Sequence, residues 1–250
     1  MFQTERMDKI ISILKANGFV TVKYLTKELH YSTATVNRDL NALEQMGEIV
    51  RSYGGVELKD QKALPLTFRY EFAKHEKKRL AKRAAELIED GDTVFMDGST
   101  TVQYMGEYIL EKKDLTVLTN NLALSIFLSE YGIRVIVLGG EIVETPYMLS
   151  GADSIETASR YKADKFFFST AGVSSDGEMS YTGDEFFTLH RTMLRNSKKS
   201  CFLTDKEKID NPRAKIILGD FSLVSYVISD HLFDENVHLR FPDTEFIYLE

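Results

Sequence analysis

Threonine, asparagine and arginine side chains recur between residues 33 and 41, on a segment with helical periodicity. Val36, Leu40 and Leu43 form its apolar stripe, which leaves the polar side chains on the other faces of the helix. Those polar residues are Thr33, Thr35, Asn37, Arg38 and Asn41. Amide, hydroxyl and guanidinium groups form hydrogen bonds with base edges in the major groove of DNA. The pattern therefore predicts a DNA recognition helix.

The flanking sequence predicts the elements that position this helix. Apolar residues at helical spacing indicate a first helix over residues 5–17, which stops at Asn17-Gly18. A second helix begins near Val22 and is interrupted at His30-Tyr31-Ser32. Two helices therefore precede the predicted recognition helix.

Two short strands are predicted after the recognition helix, over residues 48–53 and 56–58, joined near Gly54-Gly55. Three helices and a two-stranded ribbon make a winged helix-turn-helix. In that arrangement Arg51 lies on the wing, where we expect it to face phosphate or the minor groove of DNA. The alternative is a three-helix packing module whose polar face is merely solvated.

Several short motifs carry a family resemblance. They are Glu5-Arg6, Gly18-Phe19-Val20-Thr21-Val22, Ser32 to Leu40, Leu43-Glu44 and Arg51 to Gly55. Together they resemble the N-terminal domain of DeoR-type transcriptional repressors, which implies binding to double-stranded operator DNA. The family usually has two adjacent arginines where this chain has Asn37-Arg38. Because Asn pairs with adenine whereas Arg prefers guanine, we expect a different base preference at that position.

The composition sets outer limits on the fold. A chain of 250 residues with 43% hydrophobic residues is large enough for two domains. Its net charge is -7, but the first 58 residues are close to neutral and basic residues outnumber acidic ones from Lys59 to Arg83. We therefore expect a DNA-binding domain without a strong positive field, which relies on dimerisation and base contacts for its specific site.

The sequence also indicates where the protein works. No stretch approaches the length and apolarity of a membrane span, and the N-terminus has no apolar signal region. The single cysteine, Cys201, excludes an intrachain disulfide and is interpreted as a small buried apolar residue. These features predict a cytoplasmic protein.

The domain organisation follows from a change in pattern. Residues 1–58 are predicted to form the DNA-binding domain, residues 59–75 a charged linker containing Pro65, and residues 76–250 a second domain. The predicted strands of the second domain are 93–96, 115–118, 134–138, 166–169, 201–204 and 224–228, and its predicted helices are 76–89, 102–110 and 122–128. Alternating strands and helices indicate an α/β fold with a mostly parallel sheet covered by helices.

Small, hydroxyl and amide residues follow successive predicted strands, at the edge where open parallel sheets bind ligands. They are Asp97, Gly98, Ser99, Thr100 and Thr101, then Thr119, Asn120 and Asn121, then Gly139, Gly140 and Gly172, and finally Asp205 to Lys208. The turn at residues 98–101 opens a helix, so its backbone N–H groups and hydroxyls predict a cradle for one phosphate. Asp97 would repel phosphate, so we expect it to accept a hydrogen bond from a sugar hydroxyl. Plain helix capping is the alternative.

The same positions, with Lys78, Ala81, Ala84-Ala85 and Asp164-Lys165-Phe166, carry the second half of the resemblance. They resemble the effector domain of DeoR-type repressors, which is similar in fold to pentose-phosphate isomerases. Relatives sense phosphorylated sugars there, with the Gly-Ser-Thr-Thr turn on the phosphate. The resemblance also implies that Lys208 reaches the sugar or its phosphate, although Ile209 departs from an aromatic position in that motif. The alternative for Lys208 is a solvated surface lysine.

The expected function is a transcription regulator, a repressor of a sugar or carbohydrate operon controlled by a phosphorylated sugar. It is expected to work as a homo-oligomer, dimer or tetramer. We expect no cofactor, metal or catalytic residue, because the five histidines form neither a metal pattern nor a triad spacing, and no P-loop or dinucleotide fingerprint occurs. Two alternatives stay open. One is a sugar-phosphate isomerase-like enzyme using Asp97, Asp205, Glu185 or Lys208; the other is a constitutive DNA-binding protein whose second domain only oligomerises.

Overall fold

A computed structural model describes residues 3–52, 55–59, 73–144 and 147–249. The chain divides into two compact units, Met1–Arg69 and Tyr70–Glu250. The boundary falls inside the predicted linker, of which residues 60–72 lie outside the described ranges. Each unit has a hydrophobic core of its own.

The first unit combines, in its described part, three helices with a three-stranded antiparallel sheet of order β1-β3-β2. Its elements are α1 (Gln3–Asn17), β1 (Phe19–Thr21), α2 (Val22–Leu29), α3 (Thr33–Gln45), β2 (Ile49–Ser52) and β3 (Gly55–Leu58). All three predicted helices are present. The predicted two-stranded ribbon is wrong by one strand, since β1 pairs with β3.

The missing strand, β1, is three residues long, too short to show an alternating pattern in the sequence. It approaches β3 closely, with Val20 opposite Val56. A Cβ on Gly55 would lie 2.2 Å from the Phe19 ring and 2.6 Å from the Val20 carbonyl oxygen. Glycine at position 55 therefore permits the sheet to close. The predicted turn residues 53 and 54 lie outside the described residues.

Local signals set the boundaries of α2 and α3. The Thr21 hydroxyl accepts a hydrogen bond from the Tyr24 backbone N–H at 3.1 Å, and the Ser32 hydroxyl accepts one from the Thr35 N–H at 3.2 Å. Both are N-caps, which satisfy a backbone donor that the helix itself leaves unpaired. Between the helices, His30 adopts a left-handed conformation with φ 58° and ends α2. The interruption predicted at residues 30–32 is therefore the turn of the helix-turn-helix.

The second unit is built on a seven-stranded sheet of order β15-β14-β12-β9-β4-β5-β6, in which every neighbouring pair is parallel. Its strands are β4 (Thr93–Met96), β5 (Thr116–Thr119), β6 (Arg134–Val137), β9 (Ala163–Phe168), β12 (Ser197–Thr204), β14 (Tyr226–Ser229) and β15 (Glu245–Tyr248). The prediction of an α/β fold with a mostly parallel sheet is confirmed.

Helices and two smaller antiparallel sheets complete this unit. The helices are α4 (Lys74–Ala85), α5 (Thr100–Gln103), α6 (Leu122–Glu130), α7 (Ala152–Ser159), α8 (Phe187–Arg195) and α9 (Glu235–Arg240), with 3-10 turns at Tyr104–Tyr108, Lys206–Lys208 and Phe221–Leu223. The smaller sheets contain β7 (Glu141–Glu144) with β8 (Met148–Ser150), and β10 (Gly172–Val173) with β11 (Glu178–Tyr181) and β13 (Ile216–Asp220).

Several predicted bounds in the second unit need correction. The predicted helix 102–110 is a four-residue helix, α5, followed by a 3-10 turn. The predicted helix 76–89 begins at Lys74 and ends at Ala85. The sequence also missed the two small sheets, the strand β15 and the helices α7, α8 and α9. These elements are short, and short apolar runs carry little periodicity.

Both faces of the parallel sheet are buried, as a sheet with helices on each side requires. The run Phe166-Phe167-Phe168 on β9 shows the alternation: Phe167 belongs to one core cluster, whereas Phe166 and Phe168 belong to the other. The predicted burial of Cys201 is confirmed, and this burial raises the pKa of its thiol to about 12. In the described part of the chain, no helix has the length and apolarity needed to cross a membrane.

Candidate functional site

The predicted recognition residues lie on α3 with its apolar stripe turned inward. Val36, Leu40 and Leu43 are buried in the core of the first unit. The polar residues are exposed or half-buried: Thr33, Arg38 and Asn41 are exposed, and Thr35 and Asn37 are half-buried. The structure therefore brings these predicted DNA-binding side chains onto the outward faces of one helix.

A buried ion pair fixes α3 against α1. The Arg6 guanidinium donates to both carboxylate oxygens of Asp39, with Nε–Oδ2 at 2.7 Å and Nη2–Oδ1 at 3.0 Å. Asp39 is fully buried, and the guanidinium carbon of Arg6 lies 4.9 Å from the centre of the Tyr31 ring. Two parallel hydrogen bonds specify orientation as well as position. This pair therefore holds the recognition helix at one angle to the rest of the unit.

Arg51 does not extend freely from the wing. Its Nη1 donates to Asn41 Oδ1 and its Nη2 to Asn37 Oδ1, each at 2.6 Å. We had expected Arg51 to face phosphate or the minor groove; in the structure it contacts the recognition helix instead. The sequence does not reveal this contact, because it joins residues 10 and 14 positions apart in different elements.

The second group of predicted site residues lies at the carboxyl edge of the parallel sheet. Asp97 follows β4, Thr119 ends β5, and Asp205 follows β12. Ser169 follows β9, which lies between β12 and β4 in the sheet. Because all these strands are parallel, their carboxyl ends meet at one edge. The structure therefore brings these distant segments to the same side of the fold.

Asp97 organises the turn after β4. Its Oδ1 accepts hydrogen bonds from the Ser99 backbone N–H at 3.0 Å and the Ser99 hydroxyl at 2.6 Å, and its Oδ2 accepts one from the Ser169 N–H at 3.0 Å. Burial raises the pKa of the Asp97 carboxyl to about 6, although these hydrogen bonds and the charge of Lys208 oppose the rise. Both carboxylate oxygens thus already accept hydrogen bonds from the chain.

Two lysines reach this edge of the sheet. Lys208 is half-buried and donates from Nζ to the Ser169 hydroxyl at 2.6 Å, so it is not the solvated lysine of the alternative interpretation. Lys77 on α4 is buried and donates from Nζ to the Thr100 hydroxyl at 3.1 Å. The sequence interpretation missed Lys77 because it lies in a charged run. Its spacing to Leu80 and Ala84 on the buried face of α4 was the available signal.

Three buried polar side chains at this edge each leave an atom without a hydrogen-bond partner among the described residues. These atoms are Thr101 Oγ1, Asn120 Oδ1 and Asp205 Oδ2. Burial of an unpaired polar atom costs about 1–3 kcal/mol, so native proteins rarely leave one without a role. A polar ligand at the strand ends would supply the missing partners.

Other predicted site residues make contacts within the fold. Asn121 caps α6 through a bond from the Leu124 N–H at 3.0 Å, and its Nδ2 donates to Gln103 Oε1 at 2.8 Å. The Thr119 hydroxyl accepts from the Asn121 N–H at 3.1 Å, and Asn120 Nδ2 donates to the Leu149 carbonyl at 2.8 Å. These amides tie the hairpin β7–β8 and the turn after β4 to the sheet.

The predicted glycines allow close backbone approaches. Gly140 has φ +101°, and a Cβ there would lie 2.3 Å from the Ser150 carbonyl oxygen. Cβ atoms on Gly98 and Gly172 would lie 2.9 Å from Met148 and 2.7 Å from Ala214 respectively. Gly139 has φ +66°, and a Cβ there would meet no described atom within 4 Å. The first three glycines are therefore required by packing, whatever contact they make with a ligand.

A buried histidine next to Asp97 was not predicted as a site residue. His190 on α8 is hydrogen-bonded through Nδ1 to the Tyr181 hydroxyl, and its Nε2 lies 3.7 Å from Asp97 Oδ2. Burial lowers the pKa of the His190 imidazole to about 3, so the ring is neutral at pH 7. Its contact with Asp97 at that pH is therefore not an ion pair.

Comparison with known proteins identifies both units. Residues 6–62 match the family model of the DeoR-like helix-turn-helix domain, and residues 73–231 match that of the DeoR C terminal sensor domain. The chain belongs to the DeoR family. It is therefore a DNA-binding transcription regulator with a sensor domain, and the family resemblance seen in the sequence is confirmed.

Two DeoR-type relatives match most of the chain. The HTH-type transcriptional repressor GlcR of Bacillus subtilis (strain 168) is 34% identical over 212 residues, which cover 84% of this chain and 81% of GlcR. The glycerol-3-phosphate regulon repressor of Escherichia coli (strain K12) is 28% identical over 232 residues, 92% of each chain. Among solved structures, ribose 5-phosphate isomerase A from Methanocaldococcus jannaschii matches 55% of each chain at 15% identity, with a TM-score of 0.42. That likeness is too weak to support an argument about activity.

Proposed function

We propose that this DeoR-family protein represses a carbohydrate operon and that a phosphorylated sugar, bound at the carboxyl ends of β4, β5, β9 and β12, controls its DNA binding. The observation that carries the proposal is the set of buried oxygens without partners, among the described residues, on Thr101, Asn120 and Asp205. A sugar is rich in hydroxyl donors, which suit such acceptors. The names of the relatives, among them a glycerol-3-phosphate regulon repressor and a lactose phosphotransferase system repressor, support the ligand class.

The phosphate is assigned to the turn after β4. Lys77 Nζ at the Thr100 hydroxyl provides a buried cation beside this turn, and Lys208 provides a second cation across the edge. Cations and hydroxyl donors together stabilise a dianion. Asp97, whose oxygens accept from Ser99 and Ser169, positions the turn in this proposal and does not contact the sugar.

Regulation follows by linkage between the two sites. The sugar phosphate must bind two states of the protein with different affinity, and the coupling free energy is typically 1–3 kcal/mol. Paired half-sites in DNA require paired recognition helices, so the proposal includes a homo-oligomer. Exposed apolar side chains near the edge strand β6, among them Ile126, Tyr131 and Ile142, are consistent with such assembly. The relatives are repressors, and the proposal assigns no reaction to the site.

A thermal-shift screen tests the effector assignment. The whole protein is heated with each of a panel of phosphorylated sugars beside its unphosphorylated counterpart. At a hundredfold excess over its dissociation constant, a true ligand adds about 2.7 kcal/mol of stability. We expect a shift that requires the phosphate. Equal responses to the two members of every pair would refute the phosphate assignment.

Variants then localise the ligand. Thr100→Val removes the hydroxyl that Lys77 contacts, so we expect it to abolish most of the thermal shift and to blunt the ligand's effect on DNA binding. DNA binding without ligand should be unchanged. Thr116→Val, at the opposite end of β5, is the matched control and should respond like the wild type. An undiminished shift in Thr100→Val would place the phosphate elsewhere.

A further inference from the structure

The chemistry of Arg51 determines how two amides on the recognition helix are oriented. A guanidinium group has five hydrogen-bond donors and no acceptor. Since both Nη atoms of Arg51 bond to Asn37 and Asn41, the amide oxygen of each asparagine must face Arg51. The amide N–H₂ groups of both asparagines are consequently turned away from it. Their orientation is thus set by a residue outside the helix.

We propose that Arg51 is a specificity-determining positioning residue, which acts on the DNA sequence through Asn37 and Asn41. A freely rotating asparagine pairs bidentately with adenine, its oxygen accepting from N6 and its nitrogen donating to N7. With the oxygen held by Arg51, each amide presents donors first. Such donors suit acceptor edges, which are guanine N7 and O6 and thymine O4.

The geometry requires an arginine at position 51. Asn37 and Asn41 are one helical turn apart, so their amides lie on the same side of α3. The planar fork of the guanidinium spans both oxygens at 2.6 Å, whereas a lysine ammonium is a single point charge on a flexible stem. Arg51 lies opposite Val56, which is fully buried, so its backbone is fixed in the sheet.

The competing interpretation is that Arg51 contacts a phosphate when DNA is bound. Phosphate contacts carry no sequence information and depend strongly on salt. Loss of one such contact weakens binding to all sequences equally and reduces the salt slope by about 1. A positioning residue instead changes the base preference at the positions that its partners read. The inference rests on the proposed DNA-binding function, and the two make different predictions.

The test is selection of binding sites from randomised duplex DNA by the full-length protein and its variants. Asn37→Ala and Asn41→Ala first identify the base positions that these amides read. At those positions we expect Arg51→Ala and Arg51→Lys to lower the preference for the best base about tenfold, within the discrimination typical of one bidentate pair. Preferences elsewhere should stay as in the wild type. Lys9→Ala, which removes an exposed charge from α1, is the control and should keep all preferences.

A double variant establishes that Arg51 acts through its partners. Adding Arg51→Ala to Asn37→Ala should cause no further loss at the position that Asn37 reads, because the two changes remove one interaction. Equal weakening on all sequences, with a reduced salt slope and near-wild-type behaviour of Arg51→Lys, would overturn the proposal in favour of a phosphate contact. Arg51→Lys also keeps the test valid if Arg51→Ala does not fold. If the wild type enriches no sequence, the proposed DNA-binding function itself fails.

Discussion

The two units present their polar groups in opposite ways. On α3 the side chains expected to meet DNA are exposed or half-buried, and Asn37 and Asn41 are bonded to Arg51. At the strand ends of the second unit, Thr101 and Asp205 are buried, and each leaves an oxygen without a partner among the described residues. Water satisfies an exposed polar group but not a buried one. A surface for DNA therefore costs little when empty, whereas a buried ligand site costs stability until it is filled.

The largest expected effect comes from weakening the core of one unit only. Leu40 is fully buried in the core of the first unit, so Leu40→Ala should lower its free energy of unfolding by about 2–5 kcal/mol. We expect DNA binding to be lost on warming while the ligand-induced shift of the sensor unit persists. Urea denaturation followed by circular dichroism, with fluorescence anisotropy for DNA binding, measures both. Met46→Ala, at an exposed apolar residue, is the control; loss of the ligand response in Leu40→Ala would show that the units fail together.

Arg38→Ala should change the function of the exposed surface without changing its stability. Arg38 is exposed on α3, so its removal leaves no cavity and should not shift the unfolding temperature. Loss of a base contact should cost about 1–3 kcal/mol on the selected site. Anisotropy titrations against that site and a scrambled duplex measure the loss. The same variant with unchanged affinity for the selected site would remove Arg38 from the interface.

Thr101→Val should make the sensor unit more stable and less responsive. The Thr101 hydroxyl is buried without a partner in the described residues, so an isosteric methyl group should raise the free energy of unfolding by about 1–2 kcal/mol. The same variant should show a smaller thermal shift with the phosphorylated sugar. Thr116→Val, at a half-buried position, should change neither quantity. A destabilised Thr101→Val protein would mean that its hydroxyl is satisfied in the free protein.

Asp97 provides a smaller, pH-dependent test. Burial raises its pKa from 3.8 to about 6, so the folded state binds the proton more tightly than the unfolded chain. The resulting stabilisation is present in full below pH 3.8 and is lost as the pH rises through 6. Lowering the pH from 7 to 5 should therefore add about 1 kcal/mol to the wild type that Asp97→Asn lacks.

Urea denaturation of both proteins at the two pH values measures this difference, and comparing the changes cancels the constant cost of the substitution. His190, whose pKa is lowered to about 3, contributes in the opposite direction in both proteins, since the unfolded chain gains its proton first as the pH falls. Identical changes in the wild type and Asp97→Asn would contradict the raised pKa of Asp97.

The sequence predicted what depends on local pattern. Apolar residues at helical spacing located α1, α2 and α3, and the alternation of strands and helices predicted the parallel sheet. The recognition residues and the strand-end residues lay on those elements, so they were found with them. The three-residue strand β1 was missed because its pairing with β3 depends on residues 36 positions away, such as Val20 and Val56.

Patterns between near neighbours were enough to establish the main elements, the family and the faces that carry the polar groups, because periodicity and capping act over a few residues. What those polar groups contact was settled by the packing of the elements. Packing joined Arg51 to two amides of α3, buried Lys77 against Thr100, and left Thr101 Oγ1 without a described partner. Such contacts depend on distances between elements far apart in the chain, to which no local pattern is sensitive.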